Sequence, residues 1–97
     1  MNKSDMSRRT PAKVSASLRE VGINLQQWRR LNRLSIEDAA FRAGVSVSTL
    51  RRLEQGHGAT LENFMRVANI YRILGDVQGA TDPLNHDRGR ALVAALL

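Results

Sequence analysis

Apolar residues recur at helical spacing along most of this chain, and no segment alternates polar and apolar positions long enough for a strand. Leu18, Val21, Leu25, Trp28 and Leu31 form a stripe that predicts a helix over 17–33. Ser17, with Glu20 three residues on, supplies a capping-box start. A second helix is expected from Ser35, whose hydroxyl can accept from the free amide of Asp38; it carries Ala39, Ala40 and Ala43 and stops at Gly44. Ser46 then caps a third helix over about 47–55, anchored by Leu50 and Leu53 and ended by Gly56. Thr60 starts a fourth over about 61–74, with Leu61, Phe64, Val67, Ala68 and Ile70 or Tyr71 inward and Gly75 as its stop. The stretch "GDVQGATDPLNHD" reads as a linker with a turn at Asp82-Pro83. A last helix is expected over about 86–97.

The pattern divides the chain into three parts. Residues 1–16, polar and basic with Lys3, Arg8, Arg9 and Lys13, read as a flexible arm; 17–75 carry the folded domain; 76–97 are a linker and an apolar helix for dimer or partner contact. The fold class is all-α, and 97 residues suffice for one small domain with one core. From 91 to 97 every residue is apolar, so that helix has no solvent face and needs cover from its own core, a second subunit or another protein.

Two short helices joined by a tight turn with glycine make a helix-turn-helix. Such helices cross closely, so the crossing needs a small residue, here Ala40, and the exit from the first helix needs Gly44. With Val45, Leu50 and Leu53 turned to the core, the second helix has an outward face of Ser46, Val47, Ser48, Arg51, Arg52 and Gln55. These side chains suit base edges and phosphates in a major groove. Val47, Ser48, Arg51, Arg52 and Gln55 are the candidate base contacts; Ser35, Arg42, Ser46, Thr49 and His57 are the candidate phosphate contacts. Charge fits this reading: 15 basic against 9 acidic side chains give +6, and the pI is near 11.3.

Catalysis has little to stand on. His57 and His86 are isolated, Glu37 and Asp38 are explained as charge at a helix start, and "GHGAT" follows no strand and lacks a P-loop lysine. With no cysteine there is no disulfide, thiolate metal site or cysteine nucleophile. No metal and no cofactor are expected. No apolar run approaches the roughly 20 residues that span a bilayer, and the start of the chain lacks the apolar core of a signal peptide, so the expected location is the cytosol.

The segment of about 18–75 resembles the helix-turn-helix family typified by the phage Cro and C1 repressors, the Xre family. The residues that carry the resemblance are Arg29, "LS" at Leu34-Ser35, "AGVS" at 43–46, "TL" at Thr49-Leu50, "LEQG" at 53–56, Thr60 and Leu61. The resemblance implies a five-helix DNA-binding domain of the lambda-repressor type, working in the bacterial cytoplasm as a homodimer on a palindromic operator. It places Val47, Ser48 and Arg52 on base-contacting positions, Ser46 on a phosphate-contacting position and Ile36 on the position that caps the second helix near the DNA backbone. The family usually has glutamine where Ile36 stands and a polar residue where Phe41 stands; isoleucine cannot donate to a phosphate, and Phe41 would point away from the core as a sticky spot. The tail "LNHDRGRALVAALL" looks like the end segment of antitoxin repressors that pair with HipA-like kinase toxins. Phe41, Leu92, Val93, Leu96 and Leu97 are therefore the candidate partner or dimer contacts. A free-standing phage-type repressor and a helical adaptor that binds only protein are the other readings.

Overall fold

Side-chain caps set the starts of three consecutive helices. The computed structural model describes residues 9–97, so the first eight residues of the expected arm lie outside the described residues. Ser35, Ser46 and Thr60 stand in extended backbone and each hydroxyl accepts from the amide three residues on, at 3.0, 3.0 and 3.1 Å. Each satisfies an amide that the helix itself leaves unpaired. The helices that follow are α2 (Ile36–Ala43), α3 (Val47–Glu54) and α4 (Leu61–Ile70). Before them runs α1 (Ala12–Leu31); after them come α5 (Leu74–Thr81), a 3-10 turn (Pro83–Asn85) and α6 (Asp87–Ala95). Among the described residues all regular structure is helical.

Four of the helix ends share one device. Arg33, Gly44, Gly56 and Arg72 adopt left-handed φ of 56°, 72°, 80° and 61°. The next residue then donates its amide to the carbonyl five residues back: Leu34 to Arg29, Val45 to Ala40, His57 to Arg52 and Ile73 to Ala68, at 2.9–3.1 Å. Leu34, Val45 and Ile73 pack their side chains on the core in the same move.

Three expected boundaries are corrected. Helix α1 begins at Ala12 rather than 17, because Pro11 fixes the entry and its carbonyl takes the amides of Val14 and Ser15. Nothing between 12 and 17 breaks a helix, so Ser17 lies inside it and its capping box goes unused. Helix α4 ends at Ile70 rather than 74, stopped by Arg72 and not by Gly75. The supposed linker is largely helical: α5 buries no residue, so it shows no periodicity of burial, and Gly75 sits in its first turn.

The core is Leu25, Ala39, Ala40, Ala43, Leu50, Leu53, Val67 and Tyr71. Helix α1 lies against α3, and α2 lies against both α3 and α4. The buried side of α1 is turned away from the expected stripe. Its fully buried residues are Gly22 and Leu25, whereas Val21, Trp28 and Leu31 are exposed. The cause is the approach of α3: a Cβ on Gly22 would stand 2.5 Å from the Glu54 carbonyl oxygen and 2.6 Å from that of Leu53. Trp28, 40 % exposed, lies over Tyr71 with ring centroids 6.3 Å apart and planes at 15°.

Beyond the core the chain turns sharply. Asn85 and His86 bond the carbonyls of Gly79 and Ala80 at 3.0 and 2.7 Å, Arg90 donates to the Leu84 carbonyl at 2.9 Å, and Gly89 lies against Pro83 with no room for a side chain. The turn is the chief packing partner of α6. A Cα radius of gyration of 16.4 Å, against about 12–13 Å for a compact chain of this length, fits a helix standing off the core.

A methyl at position 22 can be accommodated only by parting two helix backbones. Gly22→Ala is therefore expected to destabilise by about 1–3 kcal/mol, against the roughly 1 kcal/mol alanine gains in a helix interior. Gly75→Ala, where a Cβ meets nothing within 4 Å, is expected to stabilise slightly. Urea unfolding in which the two substitutions behave alike would contradict the close α1–α3 packing.

Candidate nucleic-acid interface

Helix α3 divides its residues by periodicity. Leu50, Leu53 and Glu54 are buried, which leaves Ser48, Arg51, Arg52 and Gln55 on one exposed face at i, i+3, i+4 and i+7. Val47 is only partly outward: it is half-buried and packs on the core edge, as does Ile36 at the matching first position of α2. Two neighbouring helix starts thus present apolar side chains beside their serine caps. Neither can donate to a phosphate, but each can rest against a methyl group.

The hydroxyls at the start of α3 are linked. The Ser46 Oγ accepts from the Thr49 amide and donates to the Thr49 Oγ1 at 2.8 Å, so the Thr49 hydroxyl proton is left for an outside acceptor. The Ser35 hydroxyl caps α2 in the same exposed manner. Arg52 is drawn toward the following loop, donating to the His57 carbonyl at 3.4 Å, and its other guanidinium donors have no partner among the described residues. Arg42 and Arg51 are exposed and make no ion pair among the described residues. Arg42, Ser46 and Thr49 therefore bracket the α2–α3 turn, while His57 lies exposed past the far end of α3.

Arg29 lies in the last turn of α1 and Glu54 is the last residue of α3, 25 positions on. In the structure they meet. Arg29 Nε and one terminal nitrogen donate to the two Glu54 carboxylate oxygens at 2.8 and 3.0 Å, and the other terminal nitrogen donates to the Leu34 carbonyl at 3.1 Å. Their side chains are 13 % and 3 % exposed. The hydrogen bond to Glu54 raises the Arg29 pKa further above its ordinary value, and burial opposes it. The pair holds the last turn of α3 against α1, and Arg29 also ties in Leu34, in the stretch before α2. Beside the pair is a cleft of about 220 Å³ lined by Gln26, Arg29, Ile36, Arg51, Glu54 and Gln55. It adds Gln26, on α1, to the polar side chains bordering the exposed face; sequence spacing alone offers no signal for it.

A family model described as helix-turn-helix matches residues 25–75, slightly more than half of the chain. The chain belongs to the Xre/Cro/C1-type helix-turn-helix family. It is a DNA-binding transcriptional regulator, and the family is a DNA-binding regulatory one rather than an enzyme family. The matched segment runs from Leu25 in α1 to the start of α5 and contains all ten candidate DNA contacts. No curated protein and no solved structure matches the chain. No described helix is long and apolar enough to cross a membrane. Phe41, away from the α3 face in sequence, is 88 % exposed on α2.

Two substitutions test the frame behind the interface. Glu54→Gln leaves Arg29 partly buried without its counter-charge and is expected to cost about 3 kcal/mol. Replacing both partners with apolar residues is expected to cost less than the two single changes together, which a double-mutant cycle in urea measures. Tyr71 supplies the other test. Its hydroxyl is buried without a hydrogen-bond partner among the described residues, and burial pushes its pKa up to about 12. The phenol is neutral at pH 7 folded or unfolded, but the unfolded chain gives up the proton near pH 10. Stability should thus fall as pH rises from about 10 to 12, by up to about 1.4 kcal/mol per pH unit. Tyr71→Phe should match the wild type at pH 7 and lack this alkaline loss; equal slopes for the two proteins would refute it.

Proposed function

We propose that the protein is a sequence-specific repressor that binds a palindromic operator as a homodimer, with α3 in the major groove. The observation that carries the reading is the exposed quartet Ser48, Arg51, Arg52 and Gln55, backed by an apolar face locked to α1. Arginine suits the two acceptors of a guanine edge, glutamine an adenine edge, and Val47 the methyl of a thymine. Ser35, Arg42, Ser46, Thr49 and His57 take phosphates and set the register. Two such helices must lie about one helical turn, roughly 34 Å, apart to read both half-sites.

Within that class the finer reading is an antitoxin that represses its own operon and neutralises a HipA-like kinase toxin. Its support is the tail's likeness to antitoxin ends together with apolar surface left uncovered at Phe41 and on α6. Co-purification of the protein with the kinase encoded beside it, lost in Phe41→Ser, tests this; a neighbourhood without a kinase gene sinks it and leaves a free-standing repressor.

The DNA reading is tested by selecting binding sites from a random duplex pool. A palindrome should emerge, with binding that weakens steeply as salt rises. On that operator Arg52→Ala is expected to cost about 1–3 kcal/mol, with far less loss on random DNA. An equal loss on both would show that Arg52 touches only phosphate, and no salt-sensitive binding at all would favour a protein-only adaptor.

A further inference from the structure

Besides Phe41, two uncovered apolar surfaces stand out among the described residues. One is α6 with the two residues after it, where Leu92, Val93, Leu96 and Leu97 are exposed, Leu96 by 87 %. The other is a groove of about 320 Å³ between α1 and α4, lined by Leu18, Val21, Leu53, Ala59, Leu61 and Phe64. Leu61, on its rim, is 69 % exposed.

We infer that the groove is the seat for α6 of a second copy, each subunit giving one helix and receiving one. This deepens the homodimer reading above by naming the contact. Leu92 on α6 and Leu96, which caps it in near-helical backbone, stand about one turn apart on the same side, a ridge suited to a groove between two helices. The groove is about twice the roughly 150 Å³ that one leucine truncation leaves in a core, so it has room for both side chains. The turn before α6, fixed by Asn85, His86 and Arg90, directs the helix away from its own core and leaves its leucines exposed.

Area favours a second copy of this chain. A fully exposed Leu or Val presents on the order of 100 Å² of apolar surface. Val21, Leu61 and the four tail residues, at the exposures they have, bring the buried total over both copies of a two-fold pair to about 800 Å², the scale of a weak, reversible dimer. An unrelated partner would cover one of the two surfaces; reciprocal exchange covers both with one contact. Neither surface includes Ser48, Arg51, Arg52 or Gln55, so a dimer built this way keeps both DNA faces open.

Sedimentation equilibrium of the full chain without DNA tests the inference, with circular dichroism confirming helix content. The wild type is expected to dimerise at micromolar concentration. Leu61→Asp and Leu96→Asp, both at exposed positions, should each raise the dimer dissociation constant at least tenfold. An equimolar mixture of the two should recover mixed dimers, since one helix and one groove remain intact. A chain carrying both Leu61→Cys and Leu96→Cys, otherwise free of cysteine, should oxidise to a species of twice the mass. A monomeric wild type, or an internal disulfide at single mass, overturns the inference. A dimer indifferent to both aspartates also overturns it while leaving the homodimer reading in place.

Discussion

The bidentate contact between Arg29 and Glu54 fixes the rest of the structure. A recognition helix of eight residues cannot hold its own direction, since a helix this short is marginal in water. It must borrow rigidity from what lies behind it. Here α1 supplies that support twice: Gly22 lets the two backbones touch, and Arg29 grips the last turn of α3 by its carboxylate. The third contact of Arg29, to the Leu34 carbonyl, ties the same guanidinium to the chain just before α2. One side chain thus sets the angle between the helix that faces DNA and the helices on either side of the turn.

The alanines and the left-handed helix ends complete this frame. Ala39, Ala40 and Ala43 let α2 sit low against α3 and α4, so a core of few large side chains still closes. At Arg33 and Arg72 the protein accepts a left-handed conformation in a residue with a Cβ, at a cost of about 1–2 kcal/mol each. What offsets it is visible: the reversal delivers Leu34 and Ile73 to the core.

Local signals were legible and distant ones were not. Ser35, Ser46, Thr60 and Gly44 act within four residues of themselves, and their caps and turn stand where the pattern puts them. The exposed face of α3 was legible for the same reason, since Leu50 and Leu53 fix its opposite side. Val47 was read as freely outward because one turn of helix says nothing about the core edge beside it. Arg29 and Glu54 are 25 positions apart, and nothing near either marks the other. Helix α5 escaped notice because it buries nothing, and the true stripe of α1 because glycine, the least hydrophobic signal, marks the closest contact. The family match includes both Arg29 and Glu54 but begins after Gly22.

The turn between α5 and α6 has one more consequence. Because side chains clamp its carbonyls and Gly89 admits no spacer, α6 is a rigid pointer rather than a tethered tail. Whatever it engages inherits its bearing from α5. One residue added to α5 would swing that bearing by about 100° and advance it about 1.5 Å. Helical phase in α5, a segment without a single buried residue, is therefore under tighter geometric control than its composition suggests.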